Sequence, residues 1–89
     1  MITAGQMRAA RALLGIDQRR LAELAGVSLP TIQRMEVSEG VVRGVIDTLT
    51  KVVEALDRAG VALIGDGGDS PGGGRGVRLK SPSPSGGGR

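Results

Sequence analysis

One stretch, Gln18 to Glu36 (QRRLAELAGVSLPTIQRME), constrains the fold of this chain more than any other. Apolar residues recur at helical spacing before Gly26, and a second helical pattern begins after it. Glycine adopts the left-handed conformation that ends a helix without a steric penalty, and Ser28 is a suitable N-cap for the next helix. The stretch therefore predicts two short helices joined by a tight turn. Their expected inward-facing residues are Leu21, Ala22, Ala25, Val27, Ile32 and Met35.

Two interpretations fit such a pair of helices. In a helix-turn-helix motif, the second helix enters the major groove of DNA. In an ordinary αα-hairpin, the two helices only pack into a small bundle. The spacing and Gly26 alone leave both interpretations open.

Two further helices flank this stretch. Thr3 and Gln6 have the spacing of a capping box, so a first helix is predicted to begin there and to end near Leu14, before Gly15. A fourth helix is predicted from Val45 to Ala59, after an aperiodic loop. Its expected apolar stripe is Ile46, Leu49, Val53 and Leu56. The fold class is therefore mostly α, with four helices in residues 1–60.

The chain after residue 60 has a different composition. Residues 61–64 and 77–79 read as short strands around a glycine-rich loop, 65–76, so residues 61–79 are predicted to form a β-hairpin. An isolated hairpin is marginal in water and needs a helix surface or a second subunit to lie on. We therefore regard it as a candidate dimerisation element. Residues 80–89, rich in Ser, Pro and Gly, have the composition of a disordered tail.

Composition excludes several classes of function. The 89 residues contain no Cys, His, Phe, Tyr or Trp. This removes the commonest metal ligands and general bases, and also the aromatic rings on which single-stranded nucleic acid stacks. The net charge of +3 is spread so that residues 1–65, with eight basic and seven acidic residues, are almost neutral. We expect no enzyme, no metal, no cofactor and no membrane span.

The residues in and around the central stretch resemble the Xre family of helix-turn-helix regulators, which includes Cro and the lambda-type repressors. The resemblance covers roughly residues 3–59, and the flanking sequence is similar to a small single-domain proteobacterial type, except that Leu63 stands where an aromatic residue is frequent. It implies a nucleoid-associated, double-stranded DNA-binding transcriptional regulator. A cytoplasmic location is expected because no apolar run approaches the ~20 residues of a membrane span. The residues that carry the resemblance are Arg11, Gln18, Leu21, Ala22, Ala25, Gly26, Val27, Ser28, Ile32 and Glu36.

The resemblance also implies roles for individual residues. The recognition helix is expected at residues 29–36, where outward-facing side chains would contact bases. Other side chains near the helix N-termini would contact phosphates. Arg11 and Glu36 would form a partly buried structural ion pair. The expected base contacts are Leu29, Pro30, Gln33 and Arg34; the expected phosphate contacts are Gln18, Arg19, Arg20, Ser28, Thr31 and Arg43.

One module makes few DNA contacts, so a homodimer on a palindromic operator is expected. Two alternatives remain at this level. The chain could be the antitoxin of a toxin–antitoxin pair, with a toxin as its partner. It could also be a protein–protein adaptor that has lost DNA binding, since its folded part is almost neutral.

Overall fold

Four helices precede a two-stranded antiparallel sheet in the computed structural model, which describes residues 2–38, 42, 44, 46–65 and 74–80. This architecture confirms the predicted fold class. The elements are α1 (Ala4–Leu14), α2 (Gln18–Ala25), α3 (Leu29–Glu36), α4 (Ile46–Ala59), β1 (Val61–Ile64) and β2 (Gly76–Leu79).

Local capping determines where the first three helices begin and where the first two end. Thr3 and Gln6 form both bonds of the capping box at the start of α1. Asp17 and Ser28 cap α2 and α3, each with a side-chain oxygen that accepts a backbone N–H three residues later. Gly26 ends α2 in the left-handed conformation, with φ of 71°, which is the role predicted for it.

All four helices contribute to a single buried core. Its members are Ile2, Ala4, Met7, Ala10, Leu21, Ala22, Ala25, Ile32, Met35, Val42, Leu49, Val52, Ala55, Leu56 and Val61. Ile2 and Val42, which sequence patterns did not mark as core, are buried together, and the Val42 N–H donates to the Ile2 carbonyl at 3.0 Å. A contact between residues 40 positions apart leaves no periodic signal in the sequence.

The apolar stripe predicted for α4 is partly wrong. Ile46 is 73% exposed, whereas Val52, which the predicted stripe omitted, is fully buried. The helix is rotated so that Leu49, Val52 and Leu56 face the core, because α4 packs against α2 on one side and β1 on another. Val45, the predicted first residue of this helix, lies outside the described residues.

The hairpin packs on helices of its own chain. β1 and β2 pair in the register Val61 to Leu79 and Ile64 to Gly76, and β2 begins one residue earlier than predicted. Val61 is buried, and Leu63 and Val77 pack against the core. The inner face of the hairpin is therefore covered without a second subunit. The tail predicted to be disordered comprises residues 80–89. Residues 81–89 of this tail lie outside the described residues, as do residues 66–73 of the glycine-rich loop.

A single buried side chain, Gln6, ties the hairpin to α1. Its carbonyl oxygen accepts the Thr3 N–H at 2.9 Å. Its amide nitrogen donates to the carbonyls of Ile64 at 3.1 Å and Gly76 at 3.0 Å, one on each strand. The same residue therefore caps the helix and holds the end of the sheet against it.

We expect Gln6→Ala to lower the free energy of unfolding by about 1–3 kcal/mol, since it leaves two partly buried carbonyls with fewer donors. Urea unfolding followed by circular dichroism measures this loss. Gln33→Ala is the matched control, because Gln33 is exposed on α3 and its change should have an effect within about 0.5 kcal/mol. Equal stability of the two variants would show that the Gln6 bonds contribute nothing net.

Candidate nucleic-acid interface

The turn between α2 and α3 holds the two helices in one fixed arrangement. The Val27 N–H donates to the Ala22 carbonyl at 3.1 Å, which closes the end of α2. Val27 is half-buried against the core, and Ile32 and Met35 anchor the inner side of α3. The opposite side of α3 is thereby presented to solvent.

Polar side chains lie on the exposed side of α3. Pro30, Gln33 and Arg34 are exposed, and neither Gln33 nor Arg34 makes a side-chain hydrogen bond or ion pair within the described part of the chain. Pro30 fits in the first turn because that turn has no intrahelical use for its N–H. Leu29 differs from the expectation, because it is half-buried and part of its side chain packs against the core.

The expected phosphate contacts cluster around the starts of α2 and α3. Arg19 and Arg20 are exposed in the first turn of α2, and Arg20 forms a surface ion pair with Glu23 at 3.2 Å. Ser28 and Thr31 share a hydrogen bond of 2.8 Å between their hydroxyls at the start of α3. Arg43, the remaining expected phosphate contact, lies outside the described residues.

Glu36, at the end of α3, is the centre of a buried polar cluster. Its carboxylate binds Arg11 through two hydrogen bonds of 2.7 Å, Nε to Oε2 and Nη2 to Oε1. The Glu36 side chain is 2% exposed and that of Arg11 is 20% exposed. This hydrogen bonding to Glu36 raises the pKa of Arg11 above its ordinary value, so the guanidinium stays charged.

Two more side chains join this cluster, and the sequence did not reveal either contact. The Gln18 amide nitrogen donates to Glu36 Oε1 at 3.1 Å, and the Arg8 guanidinium donates to the Glu36 main-chain carbonyl. The only sequence feature that could have indicated the Arg8 contact is its position on α1, one turn before Arg11. The cluster thus joins α1, the start of α2 and the end of α3. It fixes α3 relative to Gln18.

The described residues contain no group of three or more Asp, Glu, His or Cys placed to hold a metal ion. Nor does any helix in the described ranges have the length and apolar content that crossing a bilayer requires.

Comparison with known proteins agrees with the geometry. Residues 7–44 match the family model described as helix-turn-helix, HTH_3, a DNA-binding family. The matched segment contains most of α1, all of α2 and α3, and all but the last residue of the connection between α3 and α4. No curated protein matches the chain. The segment that contains the helix pair around Gly26 is therefore similar to a helix-turn-helix domain of the Xre-like type.

Proposed function

We propose that this protein is a sequence-specific double-stranded DNA-binding transcriptional regulator that inserts α3 into the major groove. The observation that carries the proposal is the solvent-facing side of α3. There Gln33 and Arg34 are exposed and make no side-chain hydrogen bond or ion pair within the described residues, while the opposite side is anchored in the core. Free amide and guanidinium groups on a rigid helix match the donors and acceptors of base edges.

In this proposal the residues divide into two roles. Side chains on the exposed side and at the start of α3 contact base edges. Leu29 contributes only the part of its side chain that is exposed to solvent. Phosphates are held around the starts of α2 and α3, where backbone N–H groups and cationic side chains point outward. The base-contact set is Leu29, Pro30, Gln33 and Arg34; the phosphate set is Gln18, Arg19, Arg20, Ser28, Thr31 and Arg43.

Two copies of the chain are needed for operator-level affinity. A single recognition helix contacts only a few base pairs, and dimeric helix-turn-helix proteins read two half-sites about one helical turn apart. We therefore infer a homodimer on a palindromic operator, with residues 1–60 as the DNA-binding domain and 61–79 contributing to dimerisation.

Selection of bound fragments from genomic DNA, followed by titration of the selected duplex and a scrambled duplex at several salt concentrations, tests the function. A regulator should prefer the selected duplex by roughly 10³-fold or more, and its affinity should fall steeply with salt. Absence of any salt-dependent binding would favour the protein–protein adaptor instead.

A charge variant refines this test. Arg19→Ala should reduce the slope of log affinity against log salt by about 0.9, because one phosphate contact is lost on every duplex. Lys51→Ala is the matched control, since Lys51 lies on α4 beside Asp47, outside the proposed contact set. An unchanged slope for Arg19→Ala would remove Arg19 from the phosphate contacts.

A further inference from the structure

Within the described ranges, the outer edge of β2 carries backbone groups that no other strand pairs with. Lys80 N–H donates to the Gly60 carbonyl at 2.7 Å, and hydrogen-bonded pairs alternate along an antiparallel ladder. The N–H and C=O groups of Val77 and Leu79 therefore point away from β1. Among the described residues, the only bond recorded for these groups is a contact of 3.3 Å from the Arg78 guanidinium to the Leu79 carbonyl. Such an edge is a template for another strand.

A face of α1 without charge is also exposed. Its members are Gly5, Ala9, Ala12 and Leu13. Exposed helix positions ordinarily carry charged or polar residues. The two charged residues of α1, Arg8 and Arg11, instead bind Glu36. Leu13 is 44% exposed and Leu79 is 36% exposed. These two leucines line an open groove of about 400 Å³ at one end of this face, and Arg58 and Lys80 also line it.

Among the residues that the structure describes, none explains why position 5 is a glycine. Its φ is not positive, and a Cβ there would make only ordinary contacts, at 3.8 Å from Thr3 Oγ1 and 4.0 Å from Arg8 Nη2. Glycine in a helix is less stable than alanine. Close approach of another chain is a physical reason for a missing side chain at an exposed position.

The outer edge of β2 and the uncharged face of α1 lie side by side. The two elements, β2 and α1, run in the same direction. β2 lies against α1, while β1 lies on α4. Gln6, near the start of α1, bonds the Gly76 carbonyl at the start of β2. Leu13 at the end of α1 meets Leu79 at the end of β2 across the groove.

We propose that a second copy of this chain docks here, with β2 paired antiparallel to β2 of the other copy and the two α1 faces in contact. A two-fold axis near Ala9 places Leu13 of each copy over Gly5 of the other, so a large side chain fills the space of a missing one. A strand register centred on Val77 sets each Arg78 opposite Gly76 of the other copy, which avoids like charges facing each other.

Size and charge favour a second copy as the occupant. A stable interface buries about 800 Å² per partner, more than a four-residue strand edge supplies, so the α1 face has to contribute. Lys80, beside the edge, is already paired with Asp57, which lowers the repulsion between two identical surfaces. This interface would form the dimer that binding to a palindromic operator requires, so it rests on the proposed function.

Sedimentation equilibrium of the full chain without DNA tests the interface. The variants are Gly5→Gln and Leu13→Glu, with Ile46→Glu as the control because it places the same charge on another exposed apolar side chain. The wild type should be a dimer, and the first two variants should raise its dissociation constant roughly tenfold or more, with the control unchanged. Gly5→Gln should keep or improve helix content by circular dichroism, which separates lost docking from lost folding.

The proposed interface would be overturned if both variants had the same dissociation constant as the wild type. It would also be overturned if the wild type remained monomeric. Binding of a strand from another protein to a monomeric wild type would identify a different occupant and also overturn it. A dimer that responds to Gly5→Gln and Leu13→Glu but binds no duplex would instead contradict the proposed function and leave the interface standing.

Discussion

Replacing either Arg11 or Glu36 by alanine should lower the free energy of unfolding by about 3–5 kcal/mol, the cost of leaving one partner of a buried pair alone. In Arg11→Ala, the Glu36 carboxylate, which is 2% exposed in the wild type, keeps only the Gln18 amide as a side-chain donor. In Glu36→Ala, α1 loses the two 2.7 Å bonds that hold it to α3. Urea unfolding followed by circular dichroism measures both losses.

The matched control is Arg20→Ala, which breaks an ion pair whose side chains are 57% and 59% exposed. Solvent screens such a pair, so its loss should cost about 0–1 kcal/mol. The same result for Arg11→Ala would show that water reaches the Glu36 cluster in solution and that burial adds nothing to its strength.

Replacing Arg34 by alanine should cost about 1–3 kcal/mol on the operator and relax the preference at one base pair in each half-site. The reason is that the variant lacks the guanidinium that would bind one guanine through two hydrogen bonds. Binding to a scrambled duplex should fall less, through the lost positive charge alone. Titration of both duplexes at two salt concentrations separates these effects. Equal losses on the two duplexes, with a salt slope lower by about one, would make Arg34 a phosphate contact.

Gln18→Ala should behave differently, because it removes a neutral contact to a group that every sequence presents alike. We expect both duplexes to lose affinity by similar factors, with little change in the salt slope. Gln18 also donates to Glu36, so the variant's unfolding free energy has to be measured beside its affinity. A loss on the operator alone would show that Gln18 orients α3 for base reading.

Part of the candidate site was predictable because it depends on exposure and local position. Pro30, Gln33 and Arg34 are exposed as expected, since the buried positions Ile32 and Met35 set which side of α3 faces outward. The Arg11–Glu36 pair came from the family resemblance, because residues 25 positions apart have no spacing rule. The bond from Gln18 to Glu36 was not predictable for the same reason.

The sequence alone determined where the first three helices begin and where the first two end, since each of these boundaries depends on residues within one turn of it. Thr3 with Gln6, Asp17, Gly26 and Ser28 act through bonds or dihedral angles that neighbours in the chain control. Only the tertiary structure decided how the elements meet. It rotated α4 to bury Val52 and expose Ile46, paired Ile2 with Val42, and brought Gln6 to both strands. A periodic pattern defines an apolar face of a helix, but the rotation of that face is settled by packing against elements distant in sequence.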